Sequence, residues 1–122
     1  MTWIVLGLGC FFCGLGLLFL IFPHTGADIF GIPAVGASAL SYVRAVALRD
    51  IALGFYIVFQ TLCSTRRAVR ILLLSTVVIP AGDMLLVLAS EGANLTCLPL
   101  HLASAGCFLG LGLWIRRTGD RK

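Results

Sequence analysis

Four long apolar stretches separated by short polar segments dominate the chain. They run from about residue 3 to 22, 41 to 63, 71 to 90 and 98 to 115. Each comes close to the roughly 20 apolar residues that an α-helix needs to cross a bilayer. The first stretch is longer than the core of a signal peptide and follows no basic residue, so we expect it to be retained. The pattern predicts one domain of four transmembrane helices, covering residues 1–122.

The composition supports the same class of protein. Hydrophobic residues make up 60% of the chain and charged residues 11%, whereas about a quarter of a soluble domain is charged. A soluble chain of 122 residues has too little interior to bury so much apolar surface. The sequence therefore predicts an all-α integral membrane bundle.

The connections between the stretches differ in length. Residues 64–70 and 91–97 are short, but residues 23–39 combine proline, glycine and aspartate with several large apolar side chains. That composition is typical of an interfacial or partly re-entrant segment, and we expect a loop of this kind.

Basic residues are concentrated on one predicted side of the bundle. Seven of the nine lie in the second connection and the C-terminal segment: Arg66, Arg67, Arg70, Arg116, Arg117, Arg121 and Lys122. The loops of the other side contain Asp28, Glu91 and His24 but no basic residue. Because basic loops remain cytoplasmic, both termini are expected in the cytosol. The net charge of +4 thus reflects orientation and attraction to anionic lipid, and it does not indicate a nucleic-acid partner.

Four charged residues lie inside the predicted spans: Arg44, Arg49 and Asp50 in the second helix and Asp83 in the third. A charged residue in the middle of a membrane helix costs about 3 kcal/mol on insertion scales, and such residues usually mark functional sites. These residues are therefore candidates for a site inside the bundle.

Helix geometry predicts that the acidic residues and a histidine share one depth. At about 1.5 Å per residue, Asp50 lies about 20 Å from the cytoplasmic end of its helix and Asp83 about 18 Å from that of its own. His101 lies about 21 Å from the cytoplasmic end of the fourth helix. Three polar side chains on three helices are thus expected in one layer, slightly towards the lumenal side.

Other residues shape this layer. Tyr42, Arg49 and Tyr56 recur every seven residues and predict a polar stripe along the second helix. Pro80 lies one turn before Asp83 and can open a polar notch there. The first helix has small residues that allow a neighbouring helix to approach closely, namely Gly7, Gly9, Gly14 and Gly16.

Two interpretations of the buried charges remain open. In one, Asp50 and Asp83 neutralise Arg49 and Arg44 and lock two helices together. In the other, two carboxylates bridged by a guanidinium form a site in which one carboxylate is ionised and the other keeps its proton. Such a site offers a base and an acid together.

The stretch Ser-Tyr-Val-Arg-Ala-Val-Ala-Leu-Arg-Asp-Ile-Ala-Leu-Gly at 41–54, followed by Ala-Gly-Asp-Met at 81–84, resembles a known group of proteins. These are small four-helix membrane proteins of fungal natural-product clusters. Members associated with polyene α-pyrone polyketides of the citreoviridin and aurovertin type are regarded as epoxide hydrolases or epoxide-opening cyclases.

The resemblance implies a lipophilic polyketide-type epoxide as substrate and a location in the endoplasmic reticulum. Asp50, Asp83 and Arg49 would supply the residue types of the Asp-Arg-Asp set in soluble limonene-epoxide-type hydrolases, without a metal or an organic cofactor. The remaining candidates are expected to contact substrate: Arg44, Tyr42, Tyr56, His101 and His24.

Two other classes of protein remain as alternatives. A small transporter would place the buried charges at a cavity shared between chains, and an assembly subunit would turn them outward towards a partner helix. An enzyme would gather them on a cavity inside one chain. The expected partners are a lipophilic small molecule and the bilayer, and the sequence leaves a homodimer open.

Overall fold

A computed structural model of the chain describes residues 2–119, and every regular element in that range is a helix. The elements are α1 (Thr2–Ile21), α2 (Pro23–Phe30), α3 (Ala37–Cys63), α4 (Arg66–Thr76), α5 (Val78–Ala89) and, after a 3₁₀ turn at Leu95–Cys97, α6 (Leu98–Gly119). Arg121 and Lys122, two of the basic residues assigned to the cytosolic side, lie outside the described residues.

Within residues 2–119, four helical segments are long and apolar enough to cross a membrane: Thr2–Ile21, Ala37–Cys63, Arg66–Ala89 and Leu95–Arg117. Many large apolar side chains on their outer faces are exposed, as expected for helices whose solvent is lipid. The prediction of an all-α membrane bundle with four spans is confirmed. Because the start of α4 and the end of α6 hold Arg66, Arg67, Arg70, Arg116 and Arg117, we name that side of the bundle the basic end and the other side the opposite end.

The third span begins earlier than the sequence predicted and is divided in two. It starts at Arg66 because the Thr65 side chain caps the helix, its Oγ1 accepting the Ala68 N–H at 3.2 Å. Helix α4 ends at Thr76 and α5 starts at Val78. The break has a local cause, since Pro80 has no N–H to donate and its ring would collide with the carbonyl group of residue 76.

The first connection is partly helical rather than a loop throughout. Helix α2 occupies Pro23–Phe30, with proline in the favourable first position. It ends at Gly31, whose φ of 97° is in the left-handed region and whose N–H donates to the Ala27 carbonyl oxygen. The Gly31 carbonyl oxygen in turn accepts the Asn94 N–H at 2.8 Å, so the two connections of the opposite end are joined.

Of the helix pairs in the described residues, α1 and α3 make the most extensive contact. A Cβ atom added to Gly9 would lie 3.0 Å from the Gly54 carbonyl oxygen, and one added to Gly16 would lie 2.6 Å from the Ala47 carbonyl oxygen. Gly7 and Gly14 face open space. Two of the four glycines predicted to permit close approach therefore do so.

The hydrophobic core occupies the half of the bundle nearer the basic end. All four spans contribute to it: Val5, Phe12, Leu53, Ile57, Val69, Leu73, Phe108 and Ile115. The rings of Phe12 and Phe108 stack with their centroids 5.2 Å apart and mark the boundary of the core on the side of the opposite end. Towards the opposite end, the backbones of α3 and α5 make little direct contact. The space between the helices there is a cavity.

Candidate functional site

One guanidinium group joins both buried acidic residues. Arg49 donates from Nη1 to Asp83 Oδ1 at 3.1 Å and from Nη2 to Asp83 Oδ2 at 3.2 Å. Its Nε and Nη2 atoms both lie 3.1 Å from Asp50 Oδ1. We call Asp50, Arg49 and Asp83 the carboxylate cluster. The sequence left open whether Arg44 or Arg49 bridges the acids, and the structure places Arg49 between them.

The cluster is largely withdrawn from the surface of the bundle. Asp50 is 4% exposed and Asp83 is 8% exposed, while Arg49 is half-buried. Charges at such positions are tolerated when they are paired and hydrogen-bonded, and the fork of Arg49 meets both conditions for Asp83. With both carboxylates ionised, the cluster would carry one uncompensated negative charge, whereas one bound proton makes it neutral.

The carboxylate cluster faces a cavity of about 130 Å³. Its other polar lining groups are His101 and Ser104 of α6, and Pro80 of α5 lies next to Asp83 as the sequence predicted. The remaining walls are aromatic and aliphatic: Phe11, Phe12, Leu15, Phe19, Ile29, Phe30, Ile79, Leu100 and Phe108. The site thus combines two carboxyl groups and one permanently charged guanidinium with mainly apolar walls.

His101 lies in the layer predicted for it and lines the same cavity. It is buried, and its Nε2 atom lies 2.8 Å from the Phe30 carbonyl oxygen. A carbonyl oxygen only accepts, so Nε2 carries the hydrogen of this bond. The ring also packs edge-on against the Phe30 ring, with centroids 5.0 Å apart. His101 therefore attaches α6 to the end of α2.

Four of the residues expected to contact substrate are not brought to this cavity. Tyr42 and Tyr56 are 76% and 62% exposed. Each is seven residues from Arg49, about 10 Å along the helix axis, so neither reaches the level of the cluster. Arg44 is exposed, and its position about 140° round the helix from Arg49 explains why it does not reach either acid. His24 is exposed near the start of α2.

The walls that α1 and α2 contribute to the cavity were not predicted from the sequence. Phe19, Ile29 and Phe30 line the cavity but were not recognised as site residues. The signal available was the presence of large apolar side chains in residues 23–39, which is unusual for a loop in water. Their role depends on how α2 folds back over the helix ends, and periodicity within one helix does not reveal that.

The fold and the site define a small α-helical membrane protein with four spans and a buried Asp–Arg–Asp cluster on an internal cavity. The chain belongs to the family described as a domain of unknown function (DUF4267), whose sequence model matches residues 9–115. That range contains the carboxylate cluster and His101. No curated protein and no solved structure gives a significant match to the chain.

Proposed function

We propose that this protein is a membrane-embedded epoxide hydrolase or epoxide-opening cyclase that acts on a lipophilic, polyketide-type epoxide. The observation that carries the proposal is a pair of carboxyl groups held by one guanidinium at the wall of a mainly apolar cavity. The resemblance of residues 41–54 and 81–84 to epoxide-opening proteins of fungal clusters supports the same reaction and favours the endoplasmic reticulum as its location.

The hydrogen bonds suggest which carboxyl group is the acid. Both oxygens of Asp83 accept from Arg49, the arrangement of an ionised carboxylate. Asp50 uses only Oδ1 for its contacts with the guanidinium, which leaves Oδ2 free of Arg49 to carry the proton that makes the cluster neutral. In the proposed mechanism Asp83 is the general base and Asp50 the general acid.

The reaction then needs one nucleophile and two proton transfers. The oxygen of a water molecule attacks one epoxide carbon while Asp83 removes a proton from that water. The bond between this carbon and the epoxide oxygen breaks, and Asp50 gives its proton to the departing oxygen. The product is a diol, or a cyclic ether if a hydroxyl group of the substrate attacks in place of water. Asp83 ends protonated and Asp50 ionised, so returning one proton from Asp83 to Asp50 restores the cluster.

The location of the cavity favours an enzyme over the two alternatives. Its walls come from α1, α2, α3, α5 and α6 of a single chain, whereas a transporter of this size would need a cavity between chains. An assembly subunit would direct its acidic residues outward, whereas Asp50 and Asp83 are buried. The experiment below also tests whether the charges serve only to hold the helices together.

The test is turnover of a lipophilic polyene epoxide by the purified protein in lipid nanodiscs. Asp50→Asn and Asp83→Asn each keep the side-chain shape but remove an acid or a base, so each should lower kcat by about 10²- to 10⁴-fold. The matched control is Asp28→Asn, because Asp28 is exposed on α2 and should be replaceable without loss.

Heavy-oxygen water distinguishes the two products, since a diol incorporates one labelled oxygen and a cyclic ether incorporates none. If wild-type protein opens none of the epoxides, or if both cluster variants keep the wild-type rate, the proposed chemistry is wrong. The charges would then serve packing or transport.

A further inference from the structure

A second cavity adjoins the one that contains the carboxylate cluster. It measures about 280 Å³, and Phe19 and Phe30 line both cavities. Its remaining walls come from α2, the turn after it, α3 and α5: Ala27, Ile32, Pro33, Ala34, Ala39, Tyr42, Val43, Val46 and Leu86. All of these lining residues lie within the described part of the chain, and none of them is charged.

The second cavity lies nearer the opposite end than the carboxylate cluster does. Val46 is one turn before Asp50 on α3, and Leu86 is about one turn after Asp83 on α5, so they lie about 6 Å and about 4.5 Å nearer the opposite end. The backbones of α3 and α5 make little direct contact, and Val46 and Leu86 place both helices in the wall of the cavity. Leu86 is 58% exposed, so this wall reaches the outer face of the bundle, which faces lipid in a membrane span.

We propose that the second cavity binds the hydrocarbon chain of the substrate while the epoxide occupies the first. This inference rests on the proposed function. The first cavity, at about 130 Å³, has room for the reacting group and few further atoms, so the rest of a lipophilic substrate needs another place. The uncharged, largely apolar walls of the second cavity supply that place, since a hydrocarbon chain can pass from the bilayer into such a cavity without contacting water.

Phe19 and Phe30 form the wall between the two cavities, and each ring packs against a residue of a neighbouring helix. Phe19 is buried and packs against Gly26, where an added Cβ atom would lie 2.8 Å from its ring. Phe30 packs against His101, whose Nε2 also binds the Phe30 carbonyl oxygen. The chain of a bound substrate would therefore run past two fixed aromatic rings, which favours extended, flat chains over branched ones.

The first measurement compares two epoxides that differ only in chain length. Ala39→Phe fills the second cavity without touching the cluster, and Ala45→Phe adds the same ring to an exposed position of the same helix. Ala39→Phe should lower kcat/KM for the long-chain epoxide by about tenfold, the loss expected when an added ring overpacks the space that the chain must enter. The short-chain epoxide should be turned over as by the wild type, and Ala45→Phe should leave both substrates unaffected.

Equal effects of Ala39→Phe on both substrates, or no effect on either, would overturn the chain-binding proposal. Because turnover by the wild type is measured in the same series, that result would leave epoxide opening itself standing.

The second measurement does not depend on turnover. A long-chain alkyl epoxide with a diazirine at the far end of the chain is photolysed with the full-length protein in nanodiscs, and the labelled residues are located by mass spectrometry. We expect labels on Val43 or Val46, which are partly buried, in the wild type and their loss in Ala39→Phe. Such labelling without turnover of any epoxide would support the chain site and refute the proposed reaction. Labels confined to lipid-facing residues such as Leu48 and Phe55 would refute the chain site.

Discussion

Arg49 holds two acidic residues at once through a planar group with five N–H donors. Its two terminal nitrogens meet both oxygens of Asp83, and Nε turns towards Asp50. A lysine ammonium is a compact charge with three donors and cannot reproduce this fork. The geometry, more than the charge, therefore sets the relative positions of the two carboxyl groups.

Arg49→Lys should accordingly keep the positive charge but lose the alignment of the acids. We expect kcat to fall by about 10²-fold, the loss that a misplacement of about 1 Å can cause in an active site. Arg44→Lys is the control, because Arg44 is exposed on another face of the same helix. Turnover of the lipophilic epoxide in nanodiscs measures the effect, and circular dichroism of the same samples shows whether each variant is folded. A wild-type rate for Arg49→Lys would show that a nearby positive charge is sufficient.

At the residue scale, the sequence singled out Asp50, Asp83, Arg49 and His101 because charged and polar side chains are costly inside a membrane helix. The structure brings all four to one cavity. The sequence could not choose between Arg44 and Arg49, since the choice depends on where α5 lies around α3. Tyr42 and Tyr56 show what helical spacing leaves out. They lie on the same stripe of α3 as Arg49, but each is about 10 Å from it along the helix axis and does not reach the cluster.

At the scale of helices, the pairing of α1 with α3 depends on glycines that allow backbone contact. Gly9 and Gly54 face each other across this interface, and Gly16 faces Ala47. In a membrane, where lipid is as apolar as the side chains, such close packing is a main source of helix association. This pair forms one wall of the cavity, because it carries Phe19 on one helix and Asp50 on the other.

Gly16→Ala should weaken that pair. Its Cβ would lie 2.6 Å from the Ala47 carbonyl oxygen, and two helices would have to move apart, at a cost of roughly 1–3 kcal/mol. Gly14→Ala is the matched control, since an added Cβ there meets open space and alanine favours helix by up to about 1 kcal/mol. Thermal unfolding in detergent, followed by circular dichroism, should show a lower Tm for Gly16→Ala only. Equal midpoints would mean that the interface adjusts without cost.

The break between α4 and α5 shows how one residue changes an element. The sequence identified Pro80 as the origin of a notch, and the structure extends its effect to a division of the whole span at Val77. Pro80 itself is buried in the wall next to Asp83. The direction that α5 takes after the break could not be predicted, because it depends on packing against α6.

At the scale of the whole molecule, the charge asymmetry predicts an orientation. The five described basic residues at the basic end contrast with Asp28 and Glu91 at the opposite end. Because basic segments are retained on the cytoplasmic side, a reporter that folds only in the cytosol should be active when fused to the C-terminus. The same reporter inserted after Gly92, in the exposed turn of the opposite end, should be inactive. Activity in the reverse pattern would refute the predicted orientation.

The sequence by itself determined the class of molecule. Its hydrophobic length, low charge and helix-breaking residues specify four spans, since the bilayer sets both how long an apolar helix must be and where charges cannot remain. The depth of the polar layer also followed from the sequence, because the rise per residue in a helix is constant.

Only the tertiary structure decided which side chains meet. The assignment of Arg49 to both acids, the exposure of Tyr42, Tyr56 and Arg44, and the closing of the cavity by α2 all depend on the rotation of each helix about its axis and on how a connection folds back. These follow from packing between residues far apart in the chain, such as Gly16 against Ala47. Hydrophobic periodicity does not specify such contacts in a membrane, where outer and inner faces are both apolar.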